Sequence, residues 1–143
     1  MNRMRIADCG MGNGSNGEGG VRNKDLKKRT KEFALRVIKL VEALPRGRTA
    51  DVIGRQLLRS GTSVGANYRA ACRAKSPADF ISKMGTVEEE TDESLFWMEL
   101  LIEAGMVESG KLESLMKEAD EILAITVSSI KTAKRTKRYG SKE

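Results

Sequence analysis

From Asp25 onward the chain shows one pattern in four segments: a run of about twenty or more residues with apolar side chains three and four apart, the first and third closed by a proline or a glycine. That spacing returns side chains to one side of an α-helix, and nothing in these runs alternates as a strand does. A first helix is expected over 24–44, with Leu26, Phe33, Val37, Leu40, Val41 and Leu44 on one side and Pro45 and Gly47 as its stop. A second is expected over 50–74, capped by Thr49, with Ile53, Leu57, Val64, Tyr68 and Ala71 inward. Gly61 and Gly65 within it weaken a helix by about 1 kcal/mol each against alanine, and so point to a close helix contact or a bend. Ser76-Pro77-Ala78-Asp79 opens a third helix with serine at the cap, proline in the first turn and an acid at the third position. It runs to Ala104, with Gly105 beyond, and carries Phe80, Met84, Val87, Leu95, Met98 and Ile102 inward. The fourth is expected over 110–136, with Leu112, Leu115, Met116, Ala119, Ile122, Leu123, Thr126, Val127 and Ile130 on one face. Four long amphipathic helices with short connections predict an all-α, up-down-up-down four-helix bundle over 24–137. Residues 1–23 hold six of the fourteen glycines and little that is large and apolar, so a disordered glycine-rich tail is expected there. A short basic tail is expected over 138–143.

Composition removes several classes of function. The 143 residues contain no histidine, which excludes histidine-based catalysis and metal sites. Cys9 and Cys72 stand far apart in unlike contexts, which is neither a disulfide framework nor a zinc site. No apolar run reaches the ~18 residues of a membrane span. The opening MNRMRIADCGMG lacks the apolar stretch of a secretory signal. A cytoplasmic location is expected, with no membrane partner. Gly12-Asn13-Gly14-Ser15-Asn16-Gly17 fits a dinucleotide-binding pattern but follows no strand and opens no helix. Two S-x-x-K matches, at Ser114 and Ser128, lack companion motifs. No catalytic residue, cofactor or metal ligand is therefore assigned, and a non-enzyme is expected.

Charge is segregated. Residues 1–75 carry 17 basic and 6 acidic side chains, 76–108 one and nine, and 109–143 eight and five, within a net charge of +6. On the second helix Arg55, Arg59, Arg69 and Arg73 fall within about 80° of arc, opposite the apolar side, in a stripe roughly 27 Å long. The arginine fork suits phosphate, so the stripe reads as a phosphate-tracking face; it reads equally as a solvated face, or one paired with acids of another subunit. On the third helix Glu88, Asp92, Glu99 and Glu103 line up beside the core stripe, well placed to pair with arginines of a neighbouring helix.

The run Leu95 to Ile102 decides assembly. Beyond its core positions, Phe96, Trp97, Leu100 and Leu101 point to other sides, and a helix apolar nearly all round should be buried nearly all round. A partner surface of a second copy is expected at these four residues; a wider core within one chain is the alternative.

Phe33-Ala-Leu-Arg-Val-Ile-Lys-Leu40, Gln56-Leu-Leu-Arg-Ser-Gly-Thr-Ser-Val-Gly-Ala-Asn67, Asp79-Phe-Ile-Ser-Lys-Met84 and Glu88-Glu-Glu-Thr-Asp-Glu-Ser-Leu-Phe-Trp97 occur in the order of the four helix bundle proteins, also called the 23S rRNA intervening-sequence protein family. The chain resembles that family over about residues 25–135. The resemblance implies a bacterial protein whose protomers form pentameric barrels. It also implies kinship with an accessory protein of diversity-generating retroelements, which binds nucleic acid and a reverse transcriptase through a basic surface. Where many members continue after the Ala-Asn pair with isoleucine, an acid and glycine, this chain has Tyr68-Arg69-Ala70-Ala71-Cys72-Arg73, which adds two positive charges.

Two functions are therefore expected of a homo-oligomer. One is nucleic-acid binding of weak sequence specificity, through Arg55, Arg59, Arg69 and Arg73 with Lys134, Arg135, Lys137 and Arg138 of the C-terminal tail. The other is a protein-interaction scaffold in which the charge stripes serve subunit assembly.

Overall fold

The backbone of residues 17–140 and the side chains of 26–138 are described by a computed structural model. Four helices account for most of this range: α1 (Gly17–Glu42), α2 (Arg48–Cys72), α3 (Pro77–Glu103) and α4 (Ser109–Gly140), with no strand among the described residues. α1 packs on α2, α2 on α3 and α3 on α4, and a sparser α1–α4 seam closes the ring of four. The architecture is the expected one.

The ends show why the helices stop where they do. Pro45 disfavours helical geometry at the residue before it, so α1 finishes in a tightened turn, with the Leu44 amide donating to the Val41 carbonyl at 3.2 Å. The expected cap at Thr49 is corrected. α2 begins at Arg48 and its cap is Gly47, whose φ of 156° and ψ of 159° suit glycine and which makes no side-chain cap bond. The conformation of the reversal, not a capping oxygen, sets this start. α3 opens as read: the Asp79 amide donates to Ser76 Oγ at 3.1 Å, and Asp79 Oδ2 accepts the Lys75 amide at 3.1 Å. It closes in a Schellman turn. Gly105 takes φ 77°, its amide donates to the Ile102 carbonyl at 3.0 Å and that of Met106 to Leu101 at 2.9 Å.

α1 begins at Gly17, seven residues ahead of the expected 24, so helix reaches into the stretch read as a tail; α4 likewise continues to Gly140. Propagating a formed helix adds one hydrogen bond per residue at little further cost, and glycine only weakens it. Residues 1–16 and 141–143 lie outside the described residues.

The core holds Leu26, Phe33, Val37, Leu57, Val64, Tyr68, Met84, Val87, Met98, Leu112 and Ile122, each exposed by no more than 2%. Burial pushes the Tyr68 phenol above its ordinary range. Ile125 is also buried although it lies off the expected stripe. It follows Glu118 by seven residues, so it stands on the side facing α1; one stripe per helix was too narrow for a helix with two neighbours. A methyl at Gly61 would lie 2.9 Å from both γ-carbons of Val37, and one at Gly65 would lie 3.3 Å from the Thr30 carbonyl oxygen. The glycines therefore serve close α1–α2 contact and not a bend. Between α2 and α3, fully buried Ser60 accepts from Ser94 Oγ at 3.0 Å. Cys72 is buried at the end of α2.

Candidate nucleic-acid interface

Alternating helix direction brings the C-terminal ends of α2 and α4 to the end of the bundle where α3 begins. Ala78 and Ile81 of α3 line one shallow depression with Lys134, Lys137 and Arg138 of α4. Arg69 and Arg73, in the last turn of α2 and just beyond it, stand at this same end. All of these cations, together with Lys75 and Arg135, are exposed. Asp79, an acid at this end, accepts from Lys83 Nζ at 2.7 Å, and that bond, then the Lys75 amide, holds its carboxyl below the ordinary range. The result is a concentration of positive charge drawn from two helices that are about sixty residues apart in sequence.

The expected arginine stripe does not act as one unit. Arg59, near the middle of α2, reaches across to α3. Its Nη1 donates to Glu90 Oε1 at 3.2 Å, its Nη2 donates to Glu93, and its Nε donates to Gln56 Oε1 at 3.4 Å. Arg55, Arg69 and Arg73 make no ion pair among the described residues. Acids of α3 do pair with an arginine of the neighbouring helix, within the same chain, but the acids are Glu90 and Glu93. The aligned set Glu88, Asp92, Glu99 and Glu103 makes no ion pair among the described residues. The relevant signal was the spacing of three that sets Glu90 and Glu93 on the α2-facing flank with Ser94, one turn from Trp97. Trp97 Nε1 donates to Glu93 Oε2 at 3.1 Å and completes this network.

A second polar cluster escaped sequence reasoning. Arg29 of α1 grips Glu118 of α4 with Nε at 2.9 Å and Nη2 at 2.8 Å, and its Nη2 also reaches Glu121 at 2.7 Å. Arg36 donates to Ser114 Oγ at 2.9 Å. The Arg29 bond to Glu118 raises the guanidinium pKa and lowers the carboxyl's. These contacts span the sparsest seam of the bundle, so they fix the α1–α4 register.

The four residues expected at a subunit surface separate. Phe96 is 49% exposed, Trp97 and Leu100 are half-buried, and Leu101 is fully buried in the chain's own core, with Ile102 only partly covered. Leu101 and Ile102 thus exchange the places expected of them. The inward direction drifts along a helix as long as α3, because 3.6 residues per turn do not divide the spacing evenly.

An all-α chain of four antiparallel helices with one basic end is the class that the fold and charge define. Residues 22–128 match the 23S rRNA-intervening sequence protein family, and the chain belongs to that family. It is also similar to a protein of unknown function from the S23 ribosomal protein family of Bacteroides thetaiotaomicron VPI-5482, whose crystal structure was determined at 1.70 Å. The two share 39% identity and superpose with a TM-score of 0.70, over 74% of this chain and 95% of that one. No curated protein matches the chain. Among the described residues no helix is long and apolar enough to cross a membrane, and no group of acids and cysteines could hold a metal ion.

Proposed function

We propose that the chain is a non-enzymatic, self-assembling four-helix protein that binds the phosphate backbone of nucleic acid through the basic end of its bundle. One observation carries the reading: Arg69 and Arg73 of α2 share an end with Lys134, Arg135, Lys137 and Arg138 of α4. The basic face thereby moves from the length of α2 to one end of the molecule. Arg59 leaves the set because Glu90 and Glu93 already neutralise it, and Arg55 stands apart, towards the other end. No aromatic side chain described at this end offers a stacking platform, so binding is backbone-directed and weakly specific. The pentamer implied by the resemblance would set several such ends together and multiply their field.

A scaffold for a protein partner is the second reading. It is favoured by exposed Phe96 beside Trp97. The test is a salt titration of binding to mixed RNA and DNA, with molar mass measured alongside. Affinity that falls steeply with salt, from an assembly of defined mass, supports the first reading. An assembly that binds nothing near 100 mM salt overturns it and leaves the scaffold.

A further inference from the structure

α4 has 32 residues against the 27 of α3, and the two run antiparallel from one turn, so about five residues of α4 stand past the start of α3. The inward side of α4 changes character there. Ile130 is buried and Ala133 packs against the core. Lys137 follows them by seven and four residues, so it continues the same side of the helix, yet it is exposed. The stripe that is apolar within the bundle becomes cationic beyond its end.

Beside this overhang lies the depression lined by Ala78 and Ile81 of α3 and by Lys134, Lys137 and Arg138 of α4. It holds about 290 Å³, the lower limit of small-ligand sites, which suits one small group and not the face of a duplex. No acid lines it. α3 has none from Phe80 to Val87, and α4 none from Ile122 to Arg138. Asp79, next to Ala78 in sequence, is already held by Lys83 Nζ and the Lys75 amide.

The lining thus mixes two chemistries, aliphatic carbon on α3 and cationic heads on α4. Cations alone would serve any phosphate. The aliphatic part adds a demand that a duplex does not meet, because its bases are stacked inside and it offers this surface only phosphate and sugar. An unpaired nucleotide meets both demands: its base lies on Ala78 and Ile81 while the flanking phosphates meet Lys134, Lys137 and Arg138. Aliphatic side chains do not read base edges, so the choice made is unpaired over paired and not one base over another.

We infer that the depression between the start of α3 and the end of α4 takes one unpaired nucleotide of a single strand. This rests on the phosphate-binding reading above and narrows its ligand to unpaired nucleic acid. Charge density alone favours the opposite order, since a duplex releases more counterions per contact than a single strand. A preference for the single strand therefore reports the base and not the phosphates.

Fluorescence anisotropy at fixed salt compares three labelled probes with equal numbers of phosphates: a single strand, a blunt duplex and an abasic strand. The single strand should bind at least about fivefold tighter than either of the others, the lower end of what one base contact contributes. Ala78→Gln fills the depression without changing charge, at an exposed position in the first turn of α3. It should abolish the preference and leave duplex affinity unchanged. Ile81→Ala, which cuts back the aliphatic surface, should do the same, and circular dichroism checks that both variants keep their helicity. If Ile81→Ala loses helicity, Ala78→Gln alone decides. A duplex that binds as well as the single strand, or better, overturns the inference and leaves phosphate binding standing. An abasic strand that binds as well as one with bases does likewise. A single-strand preference that survives in the folded variants overturns the site. Failure of all three probes to bind at low salt overturns the nucleic-acid reading itself.

Discussion

Gly61 and Gly85 are both mid-helix glycines, and their surroundings give substitution opposite signs. A methyl at Gly61 meets both γ-carbons of Val37 at 2.9 Å, and a β-branched side chain on a helix has no other rotamer to retreat into. Gly61→Ala should therefore destabilise by up to about 2 kcal/mol: overpacking costs roughly 1–3, and about 1 returns as helix propensity. Gly85 meets nothing within 4 Å, so Gly85→Ala should stabilise by about 0.5–1 kcal/mol. Urea midpoints of the two variants check both signs. The sequence showed that Gly61 was unusual but not which neighbour made it so, because Val37 is 24 positions away. The cap at Ser76 and the stop at Gly105 were fully legible, since each depends on residues within one turn. Ser76→Ala should cost about 1 kcal/mol, and its thermal transition would show it. The start of α2 was misplaced for the converse reason: a glycine conformation leaves no side-chain signature.

At the scale of elements, apolar periodicity was enough to place four helices and most of their inward residues. It failed at flanks, where a helix touches two neighbours, and at the α1–α4 seam, where the contacts are ionic. That seam gives a pH dependence with a definite sign. Glu118 has its pKa lowered below the ordinary 4.5, so folding favours its ionised form. The stabilisation is complete above about pH 4.5 and is lost as the pH falls from there through the lowered value. Urea midpoints taken between pH 6 and 3 should fall, and Glu118→Gln should be less stable at pH 6 but fall less steeply. An unchanged slope in that variant would place the acid sensitivity elsewhere.

At the scale of the whole molecule, charge along the sequence and charge in space give different partitions. The stripe read on α2 is divided because Glu90 and Glu93 lie within reach of Arg59 and of no other residue in it. The union of Arg69 and Arg73 with the end of α4 requires the alternation of helix direction, which the bundle expectation already contained. Neutralising Arg69, Arg73, Lys134 and Arg135 to glutamine should flatten the slope of log affinity against log salt by about 3–4, at ~0.9 per phosphate contact. Arg59→Gln should leave that slope unchanged, and fluorescence anisotropy at several salt concentrations separates the two outcomes.

The connections at 43–47 and 104–108 both lie at the end of the bundle remote from Arg69 and Arg73. A handle inserted into either turn would therefore tether the molecule from behind. Every tethered copy would present the same pole outward, so a sensor surface made this way would read polyanion capture in a single orientation.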